Sequence, residues 1–420
     1  MATSKPKQQL SLAGAVAIGL ASMLGAGVFF VWSTAWDKAH SHIFLALGLA
    51  ALVASLNAAS VYQLASNVSR AGGVYSYARV YLPKEFSFIA GFAFVFGKIA
   101  SIAAIAIIIE TYLLPGYFGW PAAVAAILLM TALNLLGINR TAQMAAVLAI
   151  LTISFIAFTV VSGLSHGISS ASFTSSMLMP TSDLSTVSAA SIIFFAFAGY
   201  ARVATLGDEV TDPKKNIPKA IAISLAAVLF IYLLITIVVI GVLQPSNEAM
   251  PSAVFKSMLS ITAPWFNPWV IDLVVVGASL GSILALLAGV SRTAATMAED
   301  KELPSAFAKR NRFGAPWLAE VLIALGAITL IETSQYTQWV IAFSSFSVLL
   351  YYAIGHVSAF MQPKEERRQP RLFAVLGFLL CAFLLINVPG PAAQVSTVIL
   401  VVAVLGRDAI RRVAMSRSGN

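Results

Sequence analysis

A single cysteine, Cys381, stands among the 420 residues. No intrachain disulfide can form, and no cysteine cluster can hold zinc or an iron–sulfur centre; in its apolar run Cys381 reads as a small hydrophobe. Histidine is scarce as well. His40, His42, His166 and His356 fall in loops or alone within apolar sequence, without the spacing of a metal site. Only 10% of residues are charged, against about 25% in a soluble domain, which all but excludes a water-soluble enzyme. A nucleotide loop is missing too, because Gly25-x-Gly27 follows no strand and so makes no dinucleotide fingerprint. Neither enzyme chemistry nor a cofactor is expected.

Apolar sequence is what the chain has in plenty. Hydrophobic residues make up 59%, where about 45–50% is usual, and mean hydropathy is +0.88. Apolar stretches fall at 11–34, 43–66, 86–114, 121–138, 142–164, 187–207, 217–243, 269–298, 316–332, 335–361, 371–387 and 391–410. A helix needs about 20 residues to cross a bilayer. The pattern therefore predicts an all-α polytopic membrane protein of twelve transmembrane helices, with too little chain left for a sizeable extramembrane domain. The first stretch is too long for a signal-peptide core and lacks a convincing cleavage site, so it is expected to be retained.

Lys and Arg number 26 against 17 Asp and Glu, a formal net charge of +9. With these spans, one side collects Lys5, Lys7, Arg70, Arg79, Lys84, Arg140, Lys214, Lys215 and Lys219. It continues with Lys301, Lys309, Arg310, Arg312, Lys364, Arg367, Arg368, Arg371, Arg407, Arg411, Arg412 and Arg417. Cytoplasmic loops retain positive residues, so both termini are expected in the cytoplasm and the protein in the plasma membrane. Anionic inner-leaflet lipid suffices as a partner for these clusters, and nucleic acid is not called for. Of the remaining basic residues, Arg202 and Arg292 lie near inner helix ends and Lys38 and Lys256 in outer loops. Lys98 is the exception, inside the third helix.

Two helices carry glycine where the chain crosses the bilayer core, at Ser22-Met23-Leu24-Gly25-Ala26-Gly27-Val28-Phe29 and at Phe195-Ala196-Phe197-Ala198-Gly199-Tyr200. One such motif alone would read as close helix packing. The second opens a further set of five helices, which must run with opposite topology, and matched interruptions in inverted halves point to a transport site at the midplane. Unwinding frees backbone groups that protein, water or ligand must satisfy. Amides around Gly25, Ala26 and Gly27 suit a carboxylate, and carbonyls around Ser22 and Phe195 to Phe197 suit an ammonium. A zwitterion matches both.

Further segments join these: Ala71-Gly72-Gly73-Val74-Tyr75-Ser76-Tyr77-Ala78-Arg79 in the loop before helix 3, and Asp208-Glu209-Val210-Thr211-Asp212-Pro213-Lys214-Lys215-Asn216-Ile217-Pro218 after helix 6. Ser291-Arg292 and Met297-Ala298-Glu299-Asp300 follow helix 8. In this order the chain resembles the amino acid-polyamine-organocation superfamily of permeases over nearly its whole length. The resemblance implies the LeuT-like five-plus-five inverted repeat, with 11–164 and 187–361 as its halves and 371–410 as two added helices. It implies alternating-access transport of amino acids or related amines, proton-coupled or by exchange. Ser22, Met23, Gly25, Ala26 and Gly27 would line the site from helix 1. Phe195, Ala196, Phe197, Ala198 and Gly199 would line it from helix 6, with Phe195 in the place of a gating aromatic.

Two positions depart from the family. The acidic residue common after the glycine-aromatic pair of helix 6 is Ala201 here, followed by Arg202, and the helix 5 lysine of some proton-coupled members is Thr152. Lys98 is left. A charged lysine at a helix centre is unfavourable by about 2.5–3.5 kcal/mol on insertion scales, and Glu110, about 18 Å along the same helix, is out of reach. Lys98 is thus expected either to carry a coupling proton or place positive charge beside the substrate, or to be a structural donor to freed carbonyls. A sodium-coupled symporter, with Ser279 and Ser282 supplying oxygens, is the competing reading. A transporter-like receptor or channel is a further one.

Overall fold

The computed structural model describes residues 10–114, 120–168, 173, 184–197, 199–244, 250–251, 253–333, 337–388 and 392–418. They form α1 (Leu12–Met23), α2 (Ala26–Ala39), α3 (Ile43–Ala65), α4 (Val74–Tyr81), α5 (Lys84–Leu113), α6 (Pro121–Asn134), α7 (Ile138–His166) and α8 (Ser185–Phe197). Then come α9 (Ala201–Ala204), α10 (Pro213–Leu243), α11 (Val254–Thr262), α12 (Pro268–Glu299), α13 (Trp317–Thr333), α14 (Thr337–Met361), α15 (Arg371–Ile386) and α16 (Ala392–Ser418). Among the described residues six helical stretches are long and apolar enough to cross a membrane: Leu12–Ala65, Lys84–Leu113, Arg140–His166, Pro213–Leu243, Pro268–Glu299 and Trp339–Met361. The first of them contains the interruption at 24–25 and a turn at 40–42, and so holds α1, α2 and α3.

Burial separates central from peripheral helices. Every residue of α5 from Ala100 to Glu110 and of α12 from Gly281 to Ala298 is buried, which makes these two helices the centre of the bundle. By contrast α7 and α15 present Ile150, Leu151, Val161, Leu372, Leu379 and Ile386 outward, an apolar surface suited to lipid. Local signals start the helices. Pro121 and Pro268 occupy first-turn positions of α6 and α12, where a missing amide is harmless. Glu110, buried at the end of α5, accepts from the Ala123 amide at 2.9 Å and so caps α6 from outside.

The segments bearing the basic clusters gather at one end of the bundle, called the basic end below. Leu10 pairs with the chain after α9, donating to Glu209 and accepting from Thr211, both at 3.0 Å. Arg70 and Arg79 reach Asp300 at 2.9 and 3.2 Å, Tyr81 donates to Glu366 at 2.6 Å, and Asn311 donates to the Leu135 carbonyl at 2.8 Å. One expectation is corrected there. Residues 74–81, read as loop, form α4, because a Gly72-Gly73 turn precedes them and Tyr75 and Tyr77 are buried on the bundle.

Candidate functional site

Helix α1 ends at Met23 and α2 begins at Ala26, while α8 ends at Phe197 and α9 begins at Ala201. The two interruptions lie against each other. A Cβ on Gly199 would meet the backbone of Ser22, and one on Gly25 would overlap the Ser282 hydroxyl, so glycine at each lets the chain approach its neighbour closely.

Side-chain hydroxyls satisfy several of the freed carbonyls. Tyr232 of α10 donates to the Met23 carbonyl at 2.6 Å and sits 3.2 Å from that of Ala196, bridging both interruptions with one buried oxygen. Ser282 of α12 donates to Ala21 at 2.7 Å. Ser279, the other sodium candidate, donates instead to Val275 of its own helix, and Ser22 to Ile18. The start of α2 carries no side-chain cap, a form that leaves first-turn amides open to an anion, although the Val28 amide already donates to the Gly25 carbonyl at 3.1 Å.

Between the interruptions lies a cavity of about 20 Å³ lined by Ser22, Met23, Gly27, Lys98, Phe195, Ala196 and Gly199, with Ser101, Ile105, Ser282 and Leu286. Lys98, 3% exposed and midway along α5, faces this space. A central lysine and both broken helices thus share one cavity in a chain of apolar helices. The same chain matches the sequence profile of the amino acid permease family over residues 14–407. It belongs to that family.

The relatives of this permease are named as transporters. An uncharacterized transporter of Mycobacterium tuberculosis is 36% identical over 98% of this chain and 93% of its own. A branched-chain amino acid permease of Bacillus subtilis is 24% identical over 91% and 88%. A chloroplastic cationic amino acid transporter of Arabidopsis thaliana is 28% identical over 70% and 55%. With these apolar helices, the permease is a multi-pass membrane protein that transports and is not an enzyme.

Not every candidate residue meets the cavity. Gly25 packs on Ser282, and Phe197 turns away onto the Tyr232 ring at 4.8 Å. The Ala26 backbone opens α2; Ala198 lies outside the described residues. Thr152 donates to Leu148 of its own helix at 2.8 Å.

The roles of four residues escaped the sequence reading. Tyr232 gave one signal, a lone hydroxyl in an apolar run. Arg292, which looked like a helix-end topology charge, is buried and donates to both carboxylate oxygens of Glu209 at 2.6 and 2.7 Å, with Glu320 at 3.7 Å. Arg202 is likewise buried, donating to the Ala285 carbonyl and to Thr205. His356 is no isolated histidine: it bonds Ser60 at 2.8 Å and Asn57 at 2.6 Å, and Asn57 also accepts from Cys381.

Proposed function

We propose that the permease is a secondary active transporter of an amino acid or related amine, working by alternating access about the interruptions at 24–25 and 198–200. The observation that carries this reading is Lys98, facing the same cavity as Ser22, Gly27, Phe195 and Gly199. In this reading the chain crosses the plasma membrane twelve times, with two inverted five-helix halves at 11–164 and 187–361, two further helices, and the basic end in the cytoplasm. The substrate carboxylate meets the uncapped amides of α2 and its ammonium the carbonyls near Phe195, with Phe195 closing over it. Lys98 carries the coupling proton or holds positive charge beside the substrate. The names of the relatives, cationic and branched-chain amino acid carriers, support an amino acid as cargo.

Sodium coupling gains little support. The hydroxyl protons of Ser279 and Ser282 already point to carbonyls, Val275 and Ala21, though their lone pairs remain.

Counterflow in proteoliposomes tests the reading. Liposomes preloaded with an unlabelled amino acid should accumulate the labelled form, whereas a receptor binds without flux. Lys98→Ala should abolish pH-dependent accumulation. Normal transport by this variant, with unchanged pH dependence, removes the proton role from Lys98.

A further inference from the structure

A second cavity, of about 330 Å³, opens at the end opposite the basic clusters, between α2, α8 and α14. It contains Phe30, Thr34, Asp37 and Lys38 of α2, a spacing that puts all four on one helix face. Gly27 of the central cavity belongs to that face too. On α8, Ser191 of this cavity stands one turn from Phe195 of the central one. The two spaces therefore follow one another along the same pair of helices, with Phe30 and Phe195 at the passage.

Size decides which of them can hold a molecule in this conformation. The central cavity, about 20 Å³, has room for a water. The other, about 330 Å³, falls within the range of roughly 300–1,000 Å³ typical of small-molecule sites. Its charges narrow the ligand. Asp37 and Lys38 are exposed, and among the described ion pairs neither takes part. A carboxylate and an ammonium side by side complement a molecule carrying both charges on one carbon. A diamine or a dicarboxylate meets one attraction and one repulsion. Ile192 and Trp339 supply apolar wall for a side chain.

We propose that this cavity is a second binding site, for zwitterionic α-amino acids, occupied before the central site. The choice of an amino acid rests on the transport reading above; the cavity and its charge pair do not.

Cysteine protection tests it on the full-length protein. Thr34→Cys is built with Cys381→Ala, and its reaction with a methanethiosulfonate reagent is timed in the presence of each common L-amino acid, putrescine or succinate. At least one zwitterion, at ten times its dissociation constant, should slow the reaction about tenfold, while putrescine and succinate leave it unchanged. Asp37→Asn and Lys38→Gln should each raise the protecting concentration about tenfold or more, as expected for a lost charge-assisted hydrogen bond. Ser345→Cys, on the α14 wall, is the second reporter if Thr34→Cys does not fold. Unchanged rates with every zwitterion, or protection that survives both neutralisations, overturn the proposal. Proteoliposome uptake is read in parallel. Uptake without protection overturns the second site and leaves the transport reading standing, and protection without uptake or counterflow does the reverse.

Discussion

The basic end of the bundle is closed by ion pairs, whereas the opposite end stands open around a cavity of about 330 Å³. The closure has two layers. At the surface, Arg70 and Arg79 meet Asp300, in the chain after α12, at 2.9 and 3.2 Å. Beneath it lie two buried pairs: Arg292 of α12 holds Glu209, just beyond α9, and Arg407 of α16 holds Glu302 at 2.7 Å, with Arg79 on the same carboxylate at 3.1 Å. The layers differ in how easily they part. Partly exposed charges exchange a partner for water at little cost, while a buried charge has nothing to exchange for. The outer layer therefore has the properties of a latch and the inner one those of an anchor, in which Arg292 and Glu209 hold the short second half of the broken α8–α9 pair.

Removing the anchor is the harshest way to break this comparison. Arg292→Ala leaves the Glu209 carboxylate buried without its partner, and should destabilise the protein by about 3–5 kcal/mol, seen as a large fall in melting temperature in detergent. Because Glu320 lies 3.7 Å from the same guanidinium, it loses its partner as well. Arg292→Met combined with Glu209→Gln should recover much of the loss, since it removes both members of the closest pair. If Arg292→Ala melts like the parent, the inner layer is no anchor.

Removing one arm of the latch should do less to stability and more to conformation. Arg70→Gln takes away the ion pairs with Asp300 at 2.9 Å and Glu299 at 3.6 Å, but leaves Arg79 on Asp300. A loss of about 1.4 kcal/mol from the closed basic end would raise its open fraction about tenfold. A cysteine at buried Ala204, in a Cys381→Ala background, should then be alkylated about tenfold faster, with a Thr34→Cys reporter at the other end no faster. Equal acceleration of both would mean general loosening and would remove the distinction between latch and anchor.

The two layers also mark what the sequence could tell. Helices and their interruptions were readable because a run of apolar residues broken by Gly25 and Gly27, or by Gly199, is a local signal. Lys98 was readable as an anomaly, one charge inside a span. Pairings were not. Arg292 and Glu209 are 83 positions apart, and each separately looks like an ordinary charge near a helix end. Glu110 showed in the sequence only as an acid too far along its helix to meet Lys98, yet it caps α6, whose Ala123 amide lies beside the end of α5. Helix α4, eight residues long, is too short for a membrane-length pattern, and its glycine turn outweighed its tyrosines.

The gentlest perturbation concerns the rim of the closed end, where Tyr81 of α4 donates to Glu366 at 2.6 Å and accepts from Gln362 at 3.1 Å. Partial burial, and then the bond to Glu366, push its phenol from the usual 10 up to about 12. A folded-state value above the unfolded one means that the folded protein holds this proton more tightly. The resulting stability is fully present below pH 10 and is lost as pH rises towards 12. Solvent screening at this half-exposed site keeps it to a few tenths of a kcal/mol. Tyr81→Phe should therefore melt slightly lower than the parent at neutral pH, with the difference closing between pH 10 and pH 12. Thermal unfolding of both proteins at matched pH isolates this group from the other tyrosines and lysines that titrate there. A difference that stays constant across the window would assign the hydroxyl a packing role, and would leave the closed end dependent on its arginines alone.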